Sequence, residues 1–138
     1  MTDHNTPGVT ADAKVLTRSG EQPIASLEGQ TVDLWNGKTF EQMTIKRVGQ
    51  VKLCRARFEG PKGIIRVLDC TEDLRIPVGQ STTSISEATP FTRLRPFTLP
   101  NTTVPQHWYL VGISKRAVSQ DVYCTSGIAL INGLLVGF

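Results

Sequence analysis

Short runs of alternating apolar and polar residues, separated by turn residues, fill most of the 138-residue chain. An alternation with a period of two is typical of a half-buried β-strand. No segment longer than about eight residues has a convincing helical period. The chain is therefore predicted to be all-β, with strands at AKVLT, QPIASL, TVDLW, MTIKRV, KLCRARF, IIRVLDC, HWYLVGISKRAV, DVYC and GIALINGLLV.

Two Asn-Gly pairs mark turns between strands. Asn36-Gly37 and Asn132-Gly133 each lie between two apolar runs. Both residue types tolerate the positive φ angles that a type I′ turn requires at its two central positions. We predict a tight type I′ hairpin at the first pair and a second hairpin turn at the other.

Residues 79–105 differ in composition from the rest of the chain. They are rich in Ser, Thr and Pro and have little periodicity, which is typical of an excursion or insertion in a compact domain. One helical turn is favoured in SISEAT, where Glu87 follows the capping residue Ser84 by three positions. We divide the chain into an N-terminal arm at 1–10 and a β domain at 11–138 that carries the excursion at 79–105.

The charge balance gives little sign of a nucleic-acid partner. The formal net charge is +3, and the Lys and Arg residues are scattered rather than gathered in one block. The basic run Thr92–Arg95 and the pair Lys46-Arg47 leave a weak nucleic-acid-binding module as one alternative function. A modest basic excess on β-strands is more often a solvated face, so this alternative ranks last.

The cysteine and histidine residues indicate neither a metal site nor a disulfide framework. Cys54, Cys70 and Cys124 are few and far apart in sequence, and the only histidines are His4 and His107. A structural zinc site needs about four clustered Cys or His ligands. We expect no metal and no other cofactor, and we interpret the cysteines as small buried residues of strands.

No segment is expected to direct the chain into a membrane. The N-terminal residues MTDHNTPGV are polar and lack the apolar stretch of a secretory signal peptide. No apolar run approaches the roughly 20 residues that span a bilayer. We expect no secretion by a signal peptide and a reducing compartment, in which the cysteines remain thiols.

Two stretches of the sequence echo each other weakly. TIKRVGQVKLCRARF and LVGISKRAVSQDVYCTS each consist of a strand, a short break and a second strand that carries a cysteine. A duplicated β unit would produce this echo, and so would chance.

Several motifs, taken in order, resemble the sequence blocks of inteins and other Hint domains. The first is GVTADAKVLTRSGEQPIASLEGQTVDLWNGKTFEQMTIKRVGQ, the second is DCTEDL, and the closing pair is DVYCTSG and LINGLLVGF. Within the first block, VDLWNGKTFEQMTIKRVGQ is especially similar to inteins of ribonucleotide reductases. The resemblance covers roughly residues 8–78 and 107–138.

This resemblance implies a particular all-β fold. Hint domains are horseshoes of two pseudo-symmetric β halves, an arrangement that would account for the internal echo. The excursion at 79–105 lies where larger inteins carry a homing endonuclease. It is short and lacks an acidic metal-binding motif, so no nuclease is expected.

The resemblance also implies a role for individual positions. It aligns Gly8 with the first nucleophile of an intein, Leu74 with the histidine of the second motif, and Gly137 and Phe138 with the closing His-Asn pair. Glycine has no attacking group, leucine has no proton to donate, and phenylalanine has no carboxamide to cyclise. Only Thr71, which has an assisting role in the family, is retained. We therefore expect no catalytic residue in this chain.

Cys124 keeps self-processing open as an alternative. It stands where most inteins have the aspartate of a VYD motif, and in a minority class without the N-terminal nucleophile a cysteine at this point attacks instead. That class also needs a tryptophan at the position of Ile76 and a hydroxyl residue beyond the C-terminus. Thr10 is the nearest hydroxyl to position 8 and would replace the nucleophile only if the alignment slipped.

The expected function is that of a catalytically inactive Hint fold used as a structural or protein-interaction module. Because free-standing Hint reading frames occur in bacteriophage genomes near head and tail genes, the resemblance implies a virion component of the head, neck or tail. The expected partners are other protein chains, in a larger assembly or a homo-oligomer, contacted through the arm, the excursion or both. No small-molecule substrate is expected, and the expected location is the virion or the host cytoplasm.

Overall fold

The computed structural model describes residues 6–138, and β-strands are the dominant regular structure in these residues. They contain no α-helix and two short 3-10 segments, Ile24–Leu27 and Pro61–Gly63. The all-β prediction is confirmed. The strands are β1 (Val9–Thr10), β2 (Lys14–Thr17), β3 (Gly20–Pro23), β4 (Thr31–Trp35), β5 (Phe40–Glu59), β6 (Ile65–Cys70), β7 (Arg75–Val78), β8 (Ser81–Ser84), β9 (Thr92–Arg93), β10 (Tyr109–Thr125), β11 (Ala129–Ile131) and β12 (Leu134–Val136).

β5 and β10 form the frame of the fold. They are the two longest strands, and they pair antiparallel from Tyr109 opposite Glu59 to Thr125 opposite Ile45. β4 pairs with the first part of β5, and β6 pairs with its last part. The two echoing stretches of the sequence are therefore partner strands that lie side by side along most of their length.

The sequence predicted two strands where β5 lies and two where β10 lies. Each predicted pair runs on as a single strand, because β-bulges absorb the irregular residues without ending the pairing. The register between β5 and β10 shifts between Lys115 and Ser119 and again between Val122 and Tyr123.

Four strands close into a ring at one end of the molecule. β1 pairs with both β6 and β10, and β5 pairs with the same two strands. The contact of β1 with β6 that completes the ring is one residue pair, Val9 with Cys70. The other strands continue from β5 in the order β4, β2, β11 and β12, with β3 paired to β2 and β7 paired to β8 as a separate ribbon.

The prediction of a tight turn is confirmed at one Asn-Gly pair and wrong at the other. Asn132 and Gly133 have φ angles of 52° and 74° and join β11 directly to β12. Between β4 and β5, by contrast, the Asn36 carboxamide oxygen accepts backbone N–H bonds of 2.9 and 2.8 Å from the two residues after Gly37. This Asx-type turn makes the loop four residues long, and of its Asn-Gly pair only Gly37 has a positive φ.

QPIASL was predicted as one strand, but only its first part is extended. β3 ends at Pro23, and the chain continues as the 3-10 segment Ile24–Leu27. In a 3-10 turn, residues three apart lie on the same side, so both Ile24 and Leu27 are buried in the core.

The segment predicted as an excursion, 79–105, packs closely onto the rest of the fold. It contains β8 and β9 together with the buried side chains of Leu94 and Phe97. The Trp35 indole N–H donates a 2.7 Å hydrogen bond to the Thr98 carbonyl oxygen, and the Leu94 N–H donates one of 2.9 Å to the Trp108 carbonyl oxygen. These contacts fix the segment although little of it is regular.

SISEAT forms a single turn, as the sequence favours. The Glu87 and Ala88 N–H groups both donate to the Ser84 carbonyl oxygen, and the Ser84 hydroxyl donates a 2.8 Å hydrogen bond to the Glu87 carboxylate. The serine and the glutamate therefore stabilise the turn together.

Half of the predicted arm, residues 1–5 with His4, lies outside the described residues. Its last two residues, Val9–Thr10, form β1 between β6 and β10, so the predicted boundary at residue 10 falls after the first strand. A two-residue strand is too short to show a period of two, and its position depends on the partners that the fold supplies.

Trp108 connects the β5–β6 turn to the β11–β12 hairpin. The Arg66 guanidinium lies 4.4 Å from the centroid of its buried ring and donates a 2.9 Å hydrogen bond to the Gly133 carbonyl oxygen. The ring packs against Gly60 so closely that a Cβ atom there would lie 2.5 Å from it. Glycine at position 60 is therefore required by the contact.

Asp69 links three strands by charged hydrogen bonds. Its carboxylate accepts bonds of 2.8 and 3.0 Å from Arg55 on β5 and one of 2.8 Å from Arg116 on β10. The hydrogen bond from Arg55 is the main reason that the pKa of Asp69 is lowered, and Arg116 adds to the effect against the opposing influence of burial. The ionised carboxylate is thus the form that the folded chain favours.

Asp69→Asn is expected to lower the free energy of unfolding at neutral pH, because it removes the charge that strengthens these hydrogen bonds. The loss should be only about 1–2 kcal/mol, since the bonds are partly exposed to solvent. Since folding lowers the pKa, the contribution is complete above the unfolded-state pKa and is lost as the pH falls through the folded-state pKa. Urea unfolding of the unsubstituted chain and of Asp69→Asn at several acidic pH values would show their difference in unfolding free energy shrinking as the pH falls. Asp33→Asn, which removes one exposed ion pair with Arg18, is the matched control and should change the free energy of unfolding little. A difference between the unsubstituted chain and Asp69→Asn that does not depend on pH would contradict the role assigned to the ionised Asp69.

Candidate functional site

Gly8 and Thr71 are joined by two reciprocal hydrogen bonds. The Gly8 N–H donates to the Thr71 hydroxyl oxygen at 3.0 Å, and the Thr71 N–H donates to the Gly8 carbonyl oxygen at 3.0 Å. Both residues are buried. The threonine hydroxyl thus contacts the nitrogen of the peptide bond before position 8, which is the bond that the resemblance to inteins marks for cleavage.

Position 8 has no space for a side chain. A Cβ atom on Gly8 would lie 2.6 Å from Cγ2 and 2.8 Å from Cβ of Val122, both closer than atoms of packed side chains approach. Val122 is itself fully buried on β10. A nucleophilic side chain at position 8 would therefore require β10 or its valine to move.

Leu74 is part of the apolar core. Its side chain is fully buried, and its backbone N–H donates a 3.1 Å hydrogen bond to the Thr71 carbonyl oxygen. A tight turn thus joins the two residues that the resemblance assigns to the second motif. The turn has the leucine at the position where a proton donor would be needed, and an alkyl group cannot protonate a leaving amide nitrogen.

The C-terminal end of the chain lies beside the same turn. The Gly137 N–H donates a 2.7 Å hydrogen bond to the Arg75 carbonyl oxygen, and the Arg75 N–H donates one of 3.1 Å to the Gly137 carbonyl oxygen. The Phe138 side chain packs partly buried against the core. The structure thus brings together the positions of Gly8, Thr71, Leu74 and Gly137. At the C-terminal end the connection consists of the two backbone hydrogen bonds between Gly137 and Arg75.

Cys124 lies next to this group of residues. Val9 pairs with Tyr123, so Cys124 follows directly after the last residue of β10 that pairs with β1. Burial raises the pKa of the half-buried Cys124 thiol, and the opposing effect of Lys46 on the adjacent strand does not compensate. The thiol is therefore mostly protonated at neutral pH, and a protonated thiol is a weak nucleophile.

A groove of about 700 Å³ opens beside Thr71. Its wall carries charges of both signs, from Lys52 and Lys115 and from Glu72 and Asp73. Such a mixed lining does not select a strongly charged ligand of either sign.

The structure reveals a second group that the sequence did not indicate. Cys54 on β5 and Cys70 on β6 are direct partners across the two strands, and both are buried. They lie equally far from Lys62 in the turn between the strands, so a hairpin centred there would have paired them. In the sequence the two cysteines look dispersed, because only the register of this hairpin makes them neighbours.

The basic residues considered for nucleic-acid binding contact other groups of this chain. The Arg93 guanidinium lies 5.2 Å from the ring centroid of Tyr109 and donates a 3.1 Å hydrogen bond to its hydroxyl oxygen. Arg95 donates to the Gly79 carbonyl oxygen at 2.7 Å, and Arg47 pairs with an aspartate of β10. These contacts support their interpretation as parts of a solvated protein face.

Within residues 6–138, no three His, Cys, Asp or Glu side chains are grouped in a way that would hold a metal ion. The same residues contain no helix long and apolar enough to cross a membrane. The absence of metals and other cofactors from the functional protein remains an expectation from the sequence.

Comparison of the sequence with known proteins gives one short match. No protein-family model matches the chain. A stretch of 44 residues is 36% identical to the large subunit of ribonucleoside-diphosphate reductase from Invertebrate iridescent virus 6. The match covers 32% of this chain and only 5% of the length of the viral protein. It fits the resemblance of the first sequence block to inteins of ribonucleotide reductases.

Comparison of the structure with solved structures extends over nearly the whole chain. The Ssp DnaB mini-intein variant M86 superposes with a TM-score of 0.75 at 13% identity, covering 99% of this chain and 96% of that one. A DnaB intein from Synechocystis sp. PCC 6803 gives 0.72 at 15% identity and covers 96% and 98%. The gp41-1 intein gives 0.67 at 13% identity and covers 96% and 99%. At such low identity the likeness is one of fold, and the fold of this chain is the Hint fold of inteins.

Proposed function

We propose that this chain is a Hint fold that does not process itself and serves as a structural or protein-interaction module. The observation that carries the proposal is the packing at position 8, where Val122 occupies the space that a nucleophile would need. Leu74 supports it, because an apolar side chain buried in the core replaces the proton donor. Loss of one group would be compatible with a variant mechanism, but here both the attacking group and the acid are absent.

The interaction role is supported by a surface on the segment 79–105. Phe91 and Val104 are the most exposed large apolar side chains among the described residues, at 69% and 66%. Phe91 also has a φ of 66°, an unfavourable backbone conformation for a bulky residue, and its N–H donates a 2.6 Å hydrogen bond to the Leu110 carbonyl oxygen. Backbone strain that holds an aromatic side chain outward is typical of a binding surface, where aromatic residues are enriched.

The partners in this proposal are other protein chains, either copies of this one or different proteins in a larger assembly. A compact β fold with exposed loops suits such a role, because function depends on what the scaffold carries. The setting that the family resemblance favours is a phage virion, in its head, neck or tail.

Self-processing through Cys124 is the second candidate function. The observation that favours it is the pairing of Val9 with Tyr123, which puts this cysteine one residue beyond the pairs of β1 with β10. The protonated state of the thiol and the lack of a nearby acid at position 74 weigh against it.

Expression of the chain between two reporter proteins tests the proposal directly. We expect the intact mass of the fusion to remain that of one unprocessed chain, with or without added thiol, because glycine at position 8 has no attacking group and the Cys124 thiol is mostly protonated. Mass spectrometry after prolonged incubation provides the readout, and an active intein in the same fusion is the control for detection. Release of a fragment that disappears with Cys124→Ala would overturn the proposal in favour of the second candidate.

A photo-reactive amino acid at position 91 tests the interaction surface. In an extract of its source, the full chain is expected to cross-link to a defined protein, either a second copy or another chain, identified by mass spectrometry. The matched control is the same amino acid in place of Ile64, which is 49% exposed in the β5–β6 turn. Equal products from both positions, or none from position 91, would contradict the assignment of this surface.

A further inference from the structure

Cys54 and Cys70 form a cross-strand pair beside the candidate site. They are direct partners in the antiparallel register of β5 and β6, so their side chains lie side by side on the same face of the two strands. Direct partners in an antiparallel pair have Cα atoms about 4.5 or 5.5 Å apart. Disulfides span Cα separations of roughly 4.4–6.8 Å, so the backbone is already placed for a bond between the two sulfur atoms.

The two thiols differ in their access to solvent. Cys54 lines the groove of about 700 Å³, and the residue is 3% exposed. Cys70 is fully buried behind it. A small reagent in the groove would therefore reach Cys54 first, and Cys70 could react only with a group already attached to Cys54.

The hydrogen bond between the thiols favours the same order. It lowers the pKa of Cys54, against the opposing effects of burial and of the nearby Glu72 and Asp69. The same contact, together with burial, raises the pKa of Cys70. A thiolate is therefore favoured at Cys54, the residue that lines the groove, and the thiolate is the form that attacks a disulfide.

We propose that Cys54 and Cys70 are a redox-active dithiol that small disulfide compounds oxidise to an intramolecular disulfide. In the first step the Cys54 thiolate attacks one sulfur atom of the compound, the sulfur–sulfur bond breaks, and one thiolate leaves. In the second step the Cys70 sulfur gives up its proton and attacks the Cys54 sulfur, which expels the second thiol. The dithiol loses two electrons and two protons, and the compound is reduced to two thiols.

The disulfide would tie β6 to β5 next to position 8. Cys70 is the register partner of Val9, and the next residue, Thr71, holds Gly8 by two hydrogen bonds. Oxidation would therefore fix the strand that positions the candidate site. This inference does not depend on whether the chain processes itself or on its interaction partner.

The experiment uses the full-length Cys124→Ala chain, in which only the pair remains, and 2-hydroxyethyl disulfide as the oxidant. After incubation of the folded protein, all remaining thiols are alkylated in denaturant and the intact mass is measured. We expect a product that is lighter by two hydrogen atoms, takes up no alkylating group, contains a 54–70 link by peptide mapping and returns to the dithiol with a reductant. Two alkylated thiols, or a lasting adduct of the oxidant, would overturn the proposal.

Single variants of the pair separate its two steps. Cys70→Ala is expected to stop at a mixed disulfide on Cys54, because no second thiol can resolve it. Cys54→Ala is expected to react many times more slowly, because Cys70 is shielded from the groove. Equal reactivity of both variants, with a folded near-UV circular dichroism spectrum, would contradict the proposed order; if either variant fails to fold, the 54–70 link in the parent chain decides.

Discussion

The antiparallel pairing of β5 and β10 is the interaction on which the rest of the structure depends. β4 and β6 add to β5, and β1 adds to the far edge of β10, so the position of each follows from the register of this pair. Because side chains alternate between the faces of a strand, a slip by one residue would turn Val122 away from Gly8. Bulges in both strands adjust the register locally, and Val122 and Tyr123 pair with β5 on one side and with β1 on the other.

This frame forms with glycine at position 8 and leucine at position 74. The contacts that gather the candidate site are backbone hydrogen bonds, namely those between Gly8 and Thr71 and between Arg75 and Gly137, with one threonine hydroxyl as the exception. Backbone bonds do not depend on which side chain stands at a position. The strands are therefore held in place by bonds that need no functional group in the side chains of positions 8 and 74.

The sequence predicted those features that depend on local pattern, and it missed those that depend on distant partners. The period of two located the strands, and Asn132-Gly133 located a turn, because both effects act over a few residues. At Asn36-Gly37 the same pattern did not give a tight turn, because the Asn36 side chain accepts a hydrogen bond from the backbone of its own loop. The partnership of Cys54 with Cys70, and the anchoring of 79–105 by Trp35, became visible only with the register and the packing of the folded chain.

The central claim is that position 8 is a buried, hydrogen-bonded contact between strands and not a reactive centre. Hydrogen exchange of the Gly8 amide, followed by NMR in the folded full-length chain, tests this claim most directly. The hydrogen bond to Thr71 and the burial of both residues predict an amide as strongly protected as those of β6. Exchange at the rate of an unstructured chain would show that the hydrogen bond between Gly8 and Thr71 is not stably formed, and would contradict the account.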